Sequence, residues 1–331
     1  MLSPIYSQFT QTTNNNKFHS QLVTSFCYNG IYDNIEHKVQ PVKIAEEYVK
    51  DIDKFLPCPA IALKILKIAH EEGCNINELS RNIEKDPGLT ANMLKMANSA
   101  YFGHMKQIQS ITDIIIRLGM ESVKLIAITS ASAGLLNSGQ KAYNLKNGTL
   151  WRHSYATAIL ASIICRYAEE DEAASIYTAA LLHDIGKVVL DKHLAKGLYN
   201  APEPNHGLTM VEYERSFLHT DHAQVGEALL RKWGLPEYIC LLVGNHHRDD
   251  NNKEEAVASK IVRLANIVTA QIGFQSLEET SPLKEVEEFL KNEQNLPNVP
   301  NFVAKKEKII DEFFEKYNEN ETIFFNQSDQ K

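Results

Sequence analysis

The chain has few cysteines, and none is spaced for chemistry. Cys27, Cys58, Cys74, Cys165 and Cys240 are odd in number and scattered, with no C-x-x-C pair. That excludes a zinc knuckle or dithiol redox motif and leaves them to act as small buried apolar residues. A basic stripe of the kind that phosphate backbones require is also lacking, so nucleic acid is not an expected partner. No run approaches the roughly 18 apolar residues needed to cross a bilayer, so membrane insertion is not expected. Residues Met1 to Thr13 lack a basic flank followed by an apolar core, so no secretory signal is read and a cytoplasmic setting is expected. Strand alternation is missing throughout, which points to an all-α fold.

What is present is a soluble-protein composition. The 331 residues are 44% hydrophobic and 23% charged, enough to bury a large core without disulfides. The net charge of −8 is uneven: Ser276 to Lys331 holds thirteen acidic and seven basic residues, and the body before it is close to neutral. Residues 1 to 40, rich in Thr, Asn, Gln and Ser, read as a flexible leader. A helical domain is expected over 41 to 275, in two halves at 41 to 140 and 149 to 275. An acidic extension with an amphipathic helix then occupies 276 to 331. Its stripe, Phe302, Ile309, Ile310, Phe313, Phe314 and Tyr317, serves either as a docking arm or as cover for its own domain.

The helices are marked by their ends. Pro57 and Pro59 precede an apolar face at Ile61, Ile65, Ile68 and Ala69 that Gly73 stops, and Ile76, Leu79 and Ile83 form the next. Asp86-Pro87-Gly88 is a turn before Leu89, Met93, Met96 and Ala97. Ser110 caps a helix that Gly119 is expected to end. Thr149 is expected to cap a helix through Glu169, a second runs from Glu172 to His183-Asp184, and a short one follows Gly186. Thr220 is expected to cap His222 to Trp233, Pro236 opens a helix that reaches His246-His247, and the last of this half runs from about Glu254 to Ile272.

Four of these segments carry histidine near an end or on an inward side: His153, His183 with Asp184, His222, and His246 or His247. Metal ligands in helical folds come from facing helices in this manner. Imidazole and carboxylate together suit Zn, Fe, Mn or Ni better than Ca. Gly186 is expected to let the backbone turn sharply after the pair, and Gly226 to let a helix or ligand approach closely. Lys187 is a candidate phosphate contact as a point charge. His19, His37, His70, His104, His193, His206 and His219 read as ordinary hydrogen-bonded residues. A buried Asp184 needs a partner, since an unpaired buried carboxylate is costly.

The ordered set W-R-H-S (151 to 154), L-L-H-D-I-G-K (181 to 187), D-H-A-x-V-G (221 to 226), W-G-L-P (233 to 236) and H-H (246, 247) resembles the HD superfamily. In the first half, D-P-x-L-T (86 to 90), A-N-S-A-Y-F-G (97 to 103) and the run Ile108 to Gly119 resemble its HDOD branch, so that the likeness spans roughly Phe55 to Gly273. The resemblance implies a compact multi-helix fold and a role in bacterial signal transduction. It also implies kinship with HD phosphohydrolases, most HDOD domains being without demonstrated catalysis. Carried over residue by residue, it makes His153 the first ligand and His183-Asp184 the central pair. His222 and one of His246 or His247 then match the additional histidines of binuclear enzymes. The closing aspartate falls on Asn266, a neutral amide that weakens both metal affinity and activation of a bound water. Asp249 and Asp250 read as a solvated loop pair rather than a substitute. The G-Y-P signature of cyclic-di-GMP phosphodiesterases is absent after His247, which disfavours that hydrolysis. The expected function is a non-catalytic regulatory module that contacts other signalling proteins and keeps a vestigial or metal-occupied site. The alternative is a metal-dependent phosphohydrolase with Lys187 or Arg248 on the phosphate.

Overall fold

A computed structural model of the chain describes residues 44–52, 64, 68, 76–98, 108–197, 209–248, 256–274 and 299–324. The leader, most of the helix expected after Pro57, the A-N-S-A-Y-F-G motif beyond Asn98, and Asp249 and Asp250 lie outside the described residues.

Among the described residues the architecture is all-α, with no strand beyond an isolated bridge between Gln140 and Leu145. In chain order the helices are α1 (Ala45–Val49), α2 (Ile76–Glu84), α3 (Pro87–Ala97), α4 (Ile111–Leu136), α5 (Thr149–Tyr167), α6 (Ala173–Leu182), α7 (Ile185–Gly197), α8 (Met210–Leu218), α9 (His222–Lys232), α10 (Glu237–Gly244), α11 (Val257–Gln271) and α12 (Phe302–Phe324). A short 3-10 turn, Lys141–Tyr143, sits between α4 and α5.

Two apolar cores organise them. The smaller joins α2, α3 and much of α4 through Leu79, Ile83, Met93, Ile111, Ile114 and Val123. The larger is built around α5 and α6, with α10, α11 and α12 packed on them and α9 packed on α7 and α10. Cys165 and Cys240 are buried free thiols in it, as expected of small apolar residues. The stretch Ala173–Leu194 has the length and mean hydropathy of a membrane span, yet 83% of its most apolar window is buried inside the fold, so its apolarity is that of a central core helix.

Helix ends follow local chemistry with three departures. Asp86 accepts from the amide of Leu89 and Ser110 from that of Asp113, as caps should. Gly119 does not end its helix but breaks it: at φ 78°, ψ 170° it holds a kink inside α4 that residues with a Cβ rarely adopt. Thr149 is the first helical residue of α5 and not its cap, because Gly148 at φ 81° already turns the chain. Asp221, and not Thr220, caps α9 by accepting from Gln224 N at 2.9 Å, while the Thr220 hydroxyl donates to the Gln224 side chain.

Gly186 has a use other than a sharp turn. It lies inside α7, where a Cβ would sit 2.0 Å from the His222 carbonyl oxygen and 2.8 Å from Gly226 N. The two glycines let α7 and α9 touch backbone to backbone, which brings Asp184 and His222 together. The acidic extension is part of this fold, since Phe302, Ile309, Phe313 and Tyr317 are buried in the larger core against α5. Its stripe covers its own domain.

Candidate metal centre

The helix ends converge on Asp184. It occupies the junction between α6 and α7, 1% exposed, where an ordinary carboxylate is never left without compensation. Lys187, one turn into α7, donates to its Oδ2 at 2.7 Å. Around it stand the Nε2 atoms of His183 at 3.4 Å and His153 at 3.8 Å from Oδ2, and of His222 at 3.1 Å and His246 at 3.9 Å from Oδ1. All six predicted ligands, His153, His183, Asp184, His222, His246 and His247, are brought together. They form two groups that share Asp184: His153 and His183 on one side, His222, His246 and His247 on the other, each with its ligand atoms within 4.8 Å of one another.

The rings are held for ligation. The Nδ1 atoms of His183 and His246 donate to the carbonyls of Ala180 and Val243, at 2.7 Å and 2.6 Å, and that of His153 to the carbonyl of Phe274. Carbonyl oxygens cannot donate, so Nδ1 carries the proton and the Nε2 lone pair faces inward. His183 Nε2 and His246 Nε2 have no hydrogen-bond partner although buried. Buried donors and acceptors are rarely left so, and orphaned ligand-type atoms facing a common point are what a cation would satisfy. The donor set of imidazoles and one carboxylate therefore fits a transition metal or zinc.

Asn266, on α11, reaches the cluster at the position the resemblance gave it, with its side-chain oxygen placed 3.0 Å from His153 Nε2. Because that nitrogen is an acceptor when Nδ1–H serves Phe274, the amide satisfies it through Nδ2–H after the flip that oxygen and nitrogen assignment leaves open. Arg248 is not among the residues lining the adjoining cavity. It is exposed in the turn beyond His247, and its carbonyl accepts from Arg263. The cationic side chains on the adjoining cavity of about 600 Å³ are instead Lys187 and Arg215, beside His153, His222, His247 and Asn266.

Two side chains that sequence reading passed over support the site. Arg215 of α8 grips the capping Asp221 at 2.7 Å. Glu214, fully buried on the same helix, accepts from the backbone N–H of His222 at 2.8 Å and from its Nδ1 at 2.7 Å, and takes the Tyr143 hydroxyl at 2.6 Å on its other oxygen. The sequence carried a signal for α8 in Thr209 and Glu212, which form a capping box, but none for the inward turn of Glu214.

Burial, and next the positive potential of His183, hold His153 down to about 3. Burial does the same to His246 and His247, helped by the neighbouring rings, and leaves both well below 6.5. At His222 burial also opposes protonation, but the Glu214 carboxylate overcomes it and raises the ring to about 9. These shifts predict how stability depends on pH in chelator-treated protein. Below about pH 6.5 the unfolded chain binds protons on three histidines that the folded chain refuses, so stability falls as pH falls. His222 acts oppositely: its contribution is complete below about 6.5 and is lost as pH rises toward about 9. The thermal midpoint should peak near about pH 7 and drop on both sides, more steeply on the acid side. A midpoint that climbs steadily from about pH 7 to 5 contradicts this assignment.

A helical fold whose helix ends bring an adjacent His-Asp pair together with four further histidines is the architecture of the HD-like proteins. The HDOD domain profile matches residues 56–249, and the chain belongs to the HDOD family. The chain is 26% identical over 226 residues to an uncharacterized protein of Treponema pallidum (strain Nichols); the match covers 67% of this chain and 43% of that protein, so the chain spans less than half its length. Its fold is that of an HDOD domain protein of unknown function from Geobacter sulfurreducens, with TM-score 0.67 and 22% identity over 85% of this chain and 98% of the other. A Shewanella amazonensis SB2B protein named as a candidate phosphohydrolase shares it at TM-score 0.62 and 17% identity, covering 84% of this chain and 99% of that one.

Proposed function

We propose that this protein is a non-catalytic regulatory HDOD module of the bacterial cytoplasm, acting through contacts with other signalling proteins and not through nucleic acid or membrane. The supporting observation is the Asn266 amide 3.0 Å from His153 Nε2, where a hydrolytic site of this type needs a carboxylate. A bound divalent cation would draw its ligands from one or other of the two groups that share Asp184, and would supply Lewis acidity and a more acidic bound water. The chain's own residues work against turnover. Asn266 brings no negative charge, and Lys187 holds Asp184 Oδ2 at 2.7 Å, so the one carboxylate in direct reach is already engaged. A second reading, a metal-dependent phosphohydrolase, is favoured by the cavity of about 600 Å³ that places Lys187 and Arg215 beside the histidines.

Turnover decides between them. Purified protein supplied with Mn, Fe or Ni should release no phosphate or alcohol from a panel of nucleotides, phosphomonoesters and phosphodiesters. Metal-dependent hydrolysis that Asp184→Asn abolishes would establish the second reading and remove the first.

A further inference from the structure

The two halves of the cluster are supported unequally. Three of its imidazoles, His153, His183 and His246, anchor Nδ1 on a neutral backbone carbonyl. His222 alone anchors on a carboxylate, and that carboxylate is saturated: one Glu214 oxygen takes the His222 backbone N–H and Nδ1, the other the Tyr143 hydroxyl at 2.6 Å and again Nδ1 at 3.0 Å. The ring is thereby turned so that Nε2 points to Asp184 Oδ1 at 3.1 Å and His247 Nε2 at 3.0 Å. A carboxylate behind a ligating imidazole fixes the tautomer and passes negative charge to the ligand. Glu214 thus sets a second negative charge one imidazole away from the His222 end. At the opposite end Asn266 brings none and its amide covers His153 Nε2.

We infer that Glu214 is a positioning residue that concentrates cation binding at one end of the cluster, so that a single divalent ion rests on Asp184, His222, His246 and His247 while Asn266 closes the His153 end. The inference rests on the reading that the cluster holds a cation, but not on the absence of catalysis. Tyr143 extends the arrangement outward. It lies in the turn between α4 and α5, which the amide of Ala142 ties to Asp191 of α7 at 2.7 Å, so the Glu214 carboxylate is held from two chain segments, that turn and the start of α9.

Cobalt(II) chloride titrated into the chelator-treated full chain tests it, with the visible absorption of the bound ion and elemental analysis after desalting as readouts. One cobalt per chain is expected. Glu214→Gln, which keeps the shape of the side chain, should weaken cobalt binding about 10- to 100-fold and change the cobalt spectrum, with a melting temperature close to wild type before cobalt is added. Asn266→Asp should admit a second cobalt. Tyr143→Phe removes one hydroxyl and should weaken binding by a few-fold; it carries the test if the glutamine variant does not fold. Two cobalt ions in the wild type, none at all, or wild-type affinity in both the Glu214 and Tyr143 variants would overturn the inference. A chain that binds no cobalt leaves the non-catalytic reading standing, whereas turnover of a phosphoester removes that reading and not this one.

Discussion

Deleting residues 301–331 is expected to abolish cooperative folding of the remaining chain. The segment contributes Phe302, Ile309, Phe313 and Tyr317 to the larger core, each 1% exposed or less. Phe313 and Tyr317 also form an aromatic cluster with Phe274, whose ring lies 4.4 Å from Tyr317 and 5.7 Å from Phe313. Burying such a side chain contributes about 1.5–3 kcal/mol, so the four together supply about 6–12 kcal/mol, an upper estimate. That is comparable with the roughly 5–15 kcal/mol by which whole domains are stable. The loss also reaches the site, because the Phe274 carbonyl that holds His153 Nδ1 belongs to the residue that Tyr317 covers. Circular dichroism melting of the truncated chain should show no sharp transition. Phe313→Ala alone should cost about 3–5 kcal/mol. A truncated chain that melts within a few degrees of the full one would return the tail to the role of a detached docking arm.

How legible this was in the sequence depended on whether the determinant was local. Ser110 caps its helix as read, because a cap needs only its own next three residues; Asp86, read as part of a turn, caps the helix that starts at Pro87. At Thr220-Asp221 the local rule had two adjacent oxygen side chains to choose from, and the one that caps is the one that Arg215, six residues earlier on α8, also holds. The ligand set was legible because its histidines mark helix ends in a fixed order, and Asn266 stands where the pattern put it. Glu214 between Tyr213 and Arg215 looks like any surface glutamate, and only its bonds to His222 and Tyr143, distant in sequence or on another helix, account for its burial. Gly186 was legible as a required glycine but not for its purpose, since the backbone it admits lies 36 residues on at His222. The stripe on α12 signalled burial without its partner, because periodicity names a face and not what covers it.

Asp184→Ala should be among the most damaging single substitutions in the chain, apart from any effect on metal. The carboxylate is 1% exposed and accepts from a Lys187 ammonium that is itself only 7% exposed. Their attraction was made at the expense of hydration on both sides, so the pair as a whole adds little, but removing one partner leaves a charge whose desolvation is no longer offset by that contact. Breaking a buried pair costs about 3–5 kcal/mol, which for a chain of this size lowers the thermal midpoint by roughly 10 °C. The negative charge that accompanies protonated His222 also goes, which adds to the loss. The sign of the double variant separates this account from simple loss of packing. Removing the ammonium together with the carboxylate, in Asp184→Ala with Lys187→Met, should restore part of the lost midpoint, because the buried ammonium is then not left behind without this carboxylate. A packing defect would instead deepen, each substitution adding its own cost. Thermal melts of the two single variants and the double variant in chelator-treated protein, at about pH 7 where the histidine contributions balance, therefore measure the coupling directly. A double variant less stable than Asp184→Ala would show that Lys187 is held by something other than this carboxylate, and would weaken the view that Asp184 is already engaged in the resting site.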